Sequence, residues 1–231
     1  MGRAILWRPI PMLLYGNHEA IDIMMSFFTV TAIIIVLLPF HEFAHAWAAY
    51  KLGDNTAKNQ GRLTLNPFVH IDPLGALCML IFPLGWAKPV IVDPRNASRK
   101  VTMRGFMALT ALAGPVSNIL MSFILVIIVR LIILFGGSGD MVYWAVRALS
   151  SMAWISVYLA VFNLIPIPPL DGSKVLFFFL NDRAAHWFER NSNIIRMALL
   201  LSLIWDNNPL FKGMYYVSYT IMRGLYFVVG L

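Results

Sequence analysis

The sequence predicts an all-α polytopic membrane protein with five or six transmembrane helices. Of its 231 residues, 59% are hydrophobic and only 13% are charged, whereas soluble domains have about 45–50% apolar and about 25% charged residues. Because no long polar segment interrupts the chain, we expect a single domain over residues 1–231. Its core is expected over about 20–180, and C-terminal helices over about 194–231.

The apolar segments follow one another in a clear order. The first strong segment runs over about 20–52 and ends at Gly53, a typical helix stop. Strong segments follow over 105–135 and 142–164, and two weaker ones over 194–205 and 214–229. A helix needs about 20 apolar residues to cross a bilayer, so the strong segments are long enough to span.

Residues 53–104, between the first two strong spans, are less regular. Alternation over 61–66 predicts a short strand. Residues 73–92 are apolar but are interrupted by glycines and prolines, and both flanks are basic. We therefore expect a re-entrant or β-hairpin-like segment, with a pair of half-helices as the alternative, because irregular backbone at membrane depth is tolerated only where it lines a cavity.

The net charge of +7 is compatible with nucleic acid binding or with the basic cytoplasmic loops of a membrane protein. In membrane proteins Lys and Arg collect in cytoplasmic loops and meet anionic lipid, so we expect the lipid bilayer, and no nucleic acid, as a partner. The basic loops over 51–66, 93–104 and 181–196 predict the cytoplasmic side. The single cysteine, Cys78, excludes an internal disulfide and cysteine-based zinc binding.

The motif His41-Glu42-x-x-His45 lies in the second half of the first span. His-Glu-x-x-His on a helix is typical of zinc hydrolases, because residues four apart share one helix face. Both imidazoles can then bind one metal ion, with Glu42 beside it as a base. Two histidines lining a polar seam between helices are the alternative, but this leaves Glu42 in an apolar helix unexplained.

A catalytic zinc site usually has three protein ligands, and Asp171 is the candidate for the third. It lies between apolar runs, where a carboxylate is costly unless it is paired or metal-bound. It also follows the predicted cytoplasmic end of the third span, at a depth that matches the two histidines. Prolines at 166, 168 and 169 should prevent a helix and hold the preceding backbone extended.

Taken together, the ordered motifs resemble the site-2 protease family of intramembrane zinc metalloproteases, in its compact subgroup without PDZ or CBS domains. The resemblance covers roughly residues 20–180. It rests on the first motif, on residues 66–75, 85–90 and 113–118, and on Asn163-x-x-Pro166-x-Pro168-Pro169-Leu170-Asp171-Gly172.

The resemblance implies roles for individual residues. His41, His45 and Asp171 would bind one zinc ion per chain, and Glu42 would be the catalytic base. Asn163 would contact the substrate backbone. Further substrate-binding candidates are His70, for which a structural hydrogen bond is the alternative, Asn118, for which helix packing is the alternative, and Pro166.

The implied activity is hydrolysis of peptide bonds in membrane-spanning segments of a protein or peptide substrate. We expect the cell membrane as its location, with the active site toward the cytoplasm. A regulatory membrane partner or a second copy of the chain is compatible with this. The substrate backbone would pair with an exposed edge, for which residues 62–65, 88–92 and 165–170 are candidates.

Two other functions are compatible with part of the pattern. A metal-ion transporter would also place His and Asp at membrane depth, but it would need several sites along a path and gives Glu42 no role. A catalytically inactive relative that binds a membrane partner is the second alternative. The intact Glu42 and the full ligand set argue against it.

Overall fold

The structure, a computed structural model, describes residues 20–81, 85–204 and 208–231. Within these ranges the chain is α-helical and contains no β-strand. The helices are α1 Ala20–Ala32, α2 Leu38–Lys51, α3 Thr56–Asn59, α4 Pro67–His70, α5 Pro73–Ile81, α6 Met103–Phe135, α7 Asp140–Asn163, α8 Asp171–Phe179, α9 Asp182–Arg190, α10 Ser192–Ile204 and α11 Pro209–Val229. A π-helical turn joins α1 to α2, and a short 3-10 helix precedes α6.

Among the described residues, three continuous helical segments are long and apolar enough to cross a membrane: Ile23–Lys51, Met103–Phe135 and Asp140–Asn163. This confirms the all-α class and the three strong spans. The weaker segments also form helices, α10 and α11. That they bring the number of membrane crossings to five or six stays a prediction.

The long helix α6 is the centre of the fold, because it packs against α2, α7 and α8. The face of α6 directed away from these helices is apolar and exposed, with Leu109, Val116, Leu120, Ile124 and Leu131 each about half accessible. In water such a stripe would be a large exposed apolar patch. Facing lipid tails, it needs no protein cover.

The helix that carries the histidines changes its winding just before the motif. Residues Ile33–Leu37 are π-helical, and the N–H of Leu38 donates to the carbonyl of Ile33. Pro39 follows at the start of α2. A proline inside a helix has no N–H to donate and crowds the carbonyl four residues earlier. π-Helix is rare and occurs mostly as single turns inside α-helices, frequently at functional sites.

The strand predicted over 61–66 is wrong. The N–H of Arg62 bonds back to the carbonyl of Ala57, and the Asn66 side chain caps α4 by accepting from the N–H of Phe68 at 3.1 Å. Residues 61–66 therefore connect a turn to a helix cap, and they pair with no neighbouring strand among the described residues.

The apolar segment over 73–92 forms a helix, α5, and then a non-helical return over 85–93. Ile71 and Ala87 form an isolated antiparallel bridge, and the N–H of Lys88 donates to the carbonyl of His70 at 2.8 Å. The two ends of the segment therefore meet, as a hairpin-like return requires. Residues 82–84 lie outside the described ranges, and re-entry into the bilayer stays a prediction.

Residues 165–170, between α7 and α8, are not extended, and that prediction is wrong. The N–H of Ile167 donates to the carbonyl of Ile165 at 2.8 Å, and the N–H of Leu170 donates to the carbonyl of Ile167 at 2.9 Å. The prolines remove backbone donors, as expected. The N–H groups that remain bond locally and fold the segment into turns.

Candidate metal centre

His41 and His45 face the same side of α2, as their spacing predicts. Both residues are less than a tenth exposed, and the Nε2 atoms of their rings are 3.0 Å apart. The rings are nearly perpendicular, with centroids 4.6 Å apart. The two Nε2 atoms therefore converge on one point in the protein interior.

Asp171 completes this convergence from α8. Its Oδ2 lies 3.3 Å from Nε2 of His41 and 3.1 Å from Nε2 of His45. Burial raises the pKa of this carboxyl, but the hydrogen bonds with the two histidines outweigh burial and hold the pKa well below its usual range. Asp171 is also the first residue of α8, where the positive end of the helix dipole favours an anion.

The next residues explain how Asp171 is held. A Cβ on Gly172 would collide with the backbone carbonyls of Leu164 and Ile165, so glycine allows the start of α8 to lie against the end of α7. The ammonium group of Lys174 is 3.3 Å from Oδ1 of Asp171. One carboxylate oxygen is thus engaged by Lys174, and the other faces the histidines.

The three ligand atoms fit a tetrahedral metal ion. Bonds of about 2.0–2.2 Å to zinc imply ligand atoms about 3.3–3.5 Å apart at tetrahedral angles, close to the 3.0–3.3 Å found here. His, His and Asp together are a nitrogen and oxygen donor set that zinc accepts. Among the residues that the structure describes, this is the one group of metal-ligating side chains close enough to share an ion.

Helix α6 supplies the wall behind the histidines. The backbone carbonyl of Thr110 accepts a hydrogen bond from Nδ1 of His45 at 2.7 Å, which leaves the lone pair of Nε2 for a metal. One turn further along, a Cβ on Gly114 would lie 2.5 Å from Cε1 of both histidines and from Nε2 of His45. Gly114 therefore allows α6 to lie directly against both imidazole rings.

Asn118 lies two turns beyond Thr110 on the same helix face. It is 1% exposed, and its Nδ2 is 3.3 Å from Nδ1 of His41. Its backbone carbonyl accepts from the Ser156 hydroxyl at 2.7 Å. The predicted candidate therefore contacts a metal-centre residue as well as packing between helices.

Glu42 is held by the non-helical segment over 85–93 that follows α5. The backbone N–H of Val90 donates to Oε2 of Glu42 at 2.9 Å. The sequence gives no sign of this contact, because every residue except proline offers the same donor.

The remaining predicted site residues lie outside this cluster. The Asn163 side chain donates to the carbonyl of Leu159 in its own helix at 3.0 Å. His70 is buried, and its Nε2 is 2.8 Å from the carbonyl of Thr64. Pro166 is exposed in the turn before α8. In the described part of the chain, no hydrogen bond or ion pair links these three residues to the metal-centre ligands.

Comparison with known proteins relates this chain to metalloproteases. The sequence model of peptidase family M50 matches residues 131–204. A Bacillus subtilis protein named "Putative zinc metalloprotease YwhC" is 41% identical over 145 residues, which cover 62% of this chain and 65% of that protein. The same description is given to Rip2 of Mycolicibacterium smegmatis, 32% identical over 65% of this chain and 56% of Rip2. It is also given to MJ0611 of Methanocaldococcus jannaschii, 30% identical over 70% of this chain and 85% of MJ0611.

The coverage differs between these relatives. The chain spans a little over half to just under two thirds of the length of YwhC and Rip2 but most of MJ0611. No solved structure matches the chain significantly.

Proposed function

The chain belongs to peptidase family M50, the site-2 protease family, and we propose that it is a zinc metalloprotease that cleaves membrane-protein substrates within or near their transmembrane segments. The observation that carries this proposal is the convergence of His41, His45 and Asp171 within 3.0–3.3 Å of one another. The described part of the chain around them contains three helices of membrane-spanning length. A hydrolytic site among such helices is best suited to substrates that lie in the membrane.

The site lies at one end of the helical bundle. His45 is six residues before the end of α2, Thr110 is seven residues after the start of α6, and Asp171 is eight residues after the end of α7. The basic segments over 51–66 and 93–104 adjoin these ends of α2 and α6, and the basic segment over 181–196 follows α8, which begins at Asp171. The positive-inside rule therefore supports an active site on the cytoplasmic side of the cell membrane.

In the proposed reaction each residue has a separate task. Zinc held by His41, His45 and Asp171 would polarise the peptide carbonyl and make a water molecule more acidic. Glu42 accepts the proton of that water and later donates it to the leaving amine. Thr110 fixes the orientation of the His45 ring, and Gly114 leaves room for both rings.

We propose that the substrate is bound as an extended strand beside Glu42. A carbonyl inside a transmembrane helix is already hydrogen-bonded, so the helix must unwind before hydrolysis. Of the three predicted edges, residues 62–65 contain a bend and 165–170 contain bends and a turn, whereas 88–92 contain no helix, turn or bend. Strand addition at 88–92 would bring the substrate backbone next to the Glu42 carboxylate, which Val90 contacts.

A metal-ion transporter is less well supported. Transport needs a series of sites along a path, and the described residues contain one cluster of ligands. The inactive alternative is less well supported because the Glu42 carboxylate is present next to the full ligand set.

The proposal is tested with Glu42→Gln in detergent-purified protein. We expect the variant to retain one zinc ion per chain and to lose cleavage of a reporter that carries a transmembrane helix. Glu189→Gln, at an exposed position in α9, is the matched control and should cleave normally. Full activity of Glu42→Gln, or wild-type protein that binds no zinc, would overturn the proposal.

A further inference from the structure

In each histidine of the metal centre, the ring nitrogen that does not face the metal requires a hydrogen-bond partner. If Nε2 of each ring binds a metal ion, its lone pair points at the metal and the ring proton lies on Nδ1. Nδ1 is then a donor and needs an acceptor. His45 has one, because its Nδ1 is 2.7 Å from the carbonyl oxygen of Thr110.

His41 faces the Asn118 side chain instead. The amide nitrogen of Asn118 is 3.3 Å from Nδ1 of His41, so two donors would face each other. The amide oxygen, Oδ1, is buried and has no hydrogen-bond partner. Turning the amide by about 180° removes the clash of two donors and gives Oδ1 a donor, Nδ1 of His41, while the amide nitrogen takes the former position of Oδ1. The two orientations have the same shape, and hydrogen bonding decides between them.

We propose that Asn118 is the positioning residue of His41. Its side-chain oxygen accepts the proton on Nδ1, fixes the ring and directs the lone pair of Nε2 toward the metal. Thr110, Gly114 and Asn118 follow one another at intervals of four residues on α6, so they share one helix face. This face contacts the two histidines in antiparallel order, Thr110 with His45 and Asn118 with His41.

A side chain is needed at this position because the backbone there is already engaged. The carbonyl of Asn118 accepts from the Ser156 hydroxyl at 2.7 Å. Partners of metal-bound histidines typically contribute about 10- to 100-fold to metal affinity or activity. Helix packing alone would require only the volume of the Asn118 side chain, whereas positioning His41 also requires its hydrogen-bond acceptor. Removing the acceptor at constant volume therefore distinguishes the two roles.

The inference rests on the proposed zinc site, and it is tested by zinc affinity in purified protein, measured by competition with a chromogenic chelator. Asn118→Leu keeps the approximate shape and removes the acceptor, so its affinity should fall by about 10- to 100-fold. Asn118→Asp restores an acceptor and should regain most of the affinity. Ser156→Ala loses the bond to the Asn118 backbone but not the side-chain contact, and it should bind zinc like the wild type.

Failure of the Asn118 role can be distinguished from failure of the zinc site itself. Asn118→Leu with wild-type affinity would overturn the positioning role while the zinc site stands. Wild-type protein without zinc would overturn the proposed function and this inference with it. If Asn118→Leu does not fold, Asn118→Ala takes its place, and the same rescue by Asn118→Asp is required.

Discussion

The N–H of Val90 donates a hydrogen bond of 2.9 Å to Oε2 of Glu42, a residue 48 positions earlier in the chain. The bond fixes one carboxylate oxygen and leaves the other, Oε1, to accept a proton. The non-helical return segment over 85–93 therefore orients the proposed base.

Val90→Pro removes this donor. A hydrogen bond to a charged group contributes about 1.5–3 kcal/mol, and each 1.36 kcal/mol changes a rate about tenfold. We expect kcat for a membrane-embedded reporter to fall about tenfold or more, with zinc content unchanged. Val90→Ala keeps the N–H and is the control. Equal kcat values for the two variants would show that the hydrogen bond does not matter for catalysis.

The far end of the return segment is attached to α2 through Asp54. This buried carboxylate accepts from the N–H and hydroxyl of Thr56 at 2.9 and 2.5 Å, from the N–H of Asp93 at 2.8 Å and from the Asn96 amide at 3.1 Å. Burial raises the pKa of Asp54, but these hydrogen bonds outweigh burial and lower it.

Asp54→Asn should therefore lower the thermal unfolding midpoint at neutral pH. Since the folded-state pKa is lowered, ionised Asp54 stabilises the fold above its unfolded pKa of about 3.9, and this contribution is lost as the pH falls through the folded-state pKa. The difference between variant and wild type should shrink as the pH is lowered toward 3. Asp182→Asn removes an exposed carboxylate and should have little effect. A difference that stays constant with pH would contradict this account.

The metal ligands could be predicted from the sequence because their residue types are unusual in apolar segments. His41, His45 and Asp171 are costly in apolar surroundings unless they have a partner, so their presence there is informative. Thr110 and Val90 act through backbone groups that nearly every residue has, and no sequence pattern could identify them.

The fold too was predictable only where the local sequence specifies the structure. Helices α6 and α7 begin and end within two residues of the predicted apolar segments, because long apolar runs specify membrane-length helices. The strand predicted over 61–66 failed because alternation describes one strand and says nothing about a partner. Residues 165–170 were predicted extended because proline prevents a helix, but turns satisfy the same restriction.

The ligand set is tested by metal-dependent stability. Zinc that binds only the folded protein stabilises it by about 2.7 kcal/mol at a free concentration of 100 times Kd. A chelator should therefore lower the unfolding midpoint of the wild type, and added zinc should restore it. Asp171→Ala should lose most of this response, whereas Asp140→Ala, also at the first residue of a helix, should keep it. An undiminished zinc response in Asp171→Ala would remove Asp171 from the ligand set.

Gly114→Ala tests the close contact between α6 and the two imidazole rings. The added Cβ would lie 2.5 Å from Cε1 of both rings, and the His45 ring cannot turn away without losing its bond to Thr110. Overpacking costs about 1–3 kcal/mol. Because metal binding holds the rings in the positions that the Cβ obstructs, we expect this cost to fall on the metal-bound state and zinc affinity to decrease by about 5- to 150-fold. Gly224→Ala is the matched control, since nothing lies within 4 Å of its Cβ and alanine favours a helix. If Gly114→Ala bound zinc as tightly as Gly224→Ala, the close contact between Gly114 and the imidazole rings would not limit zinc binding, and this account would be wrong.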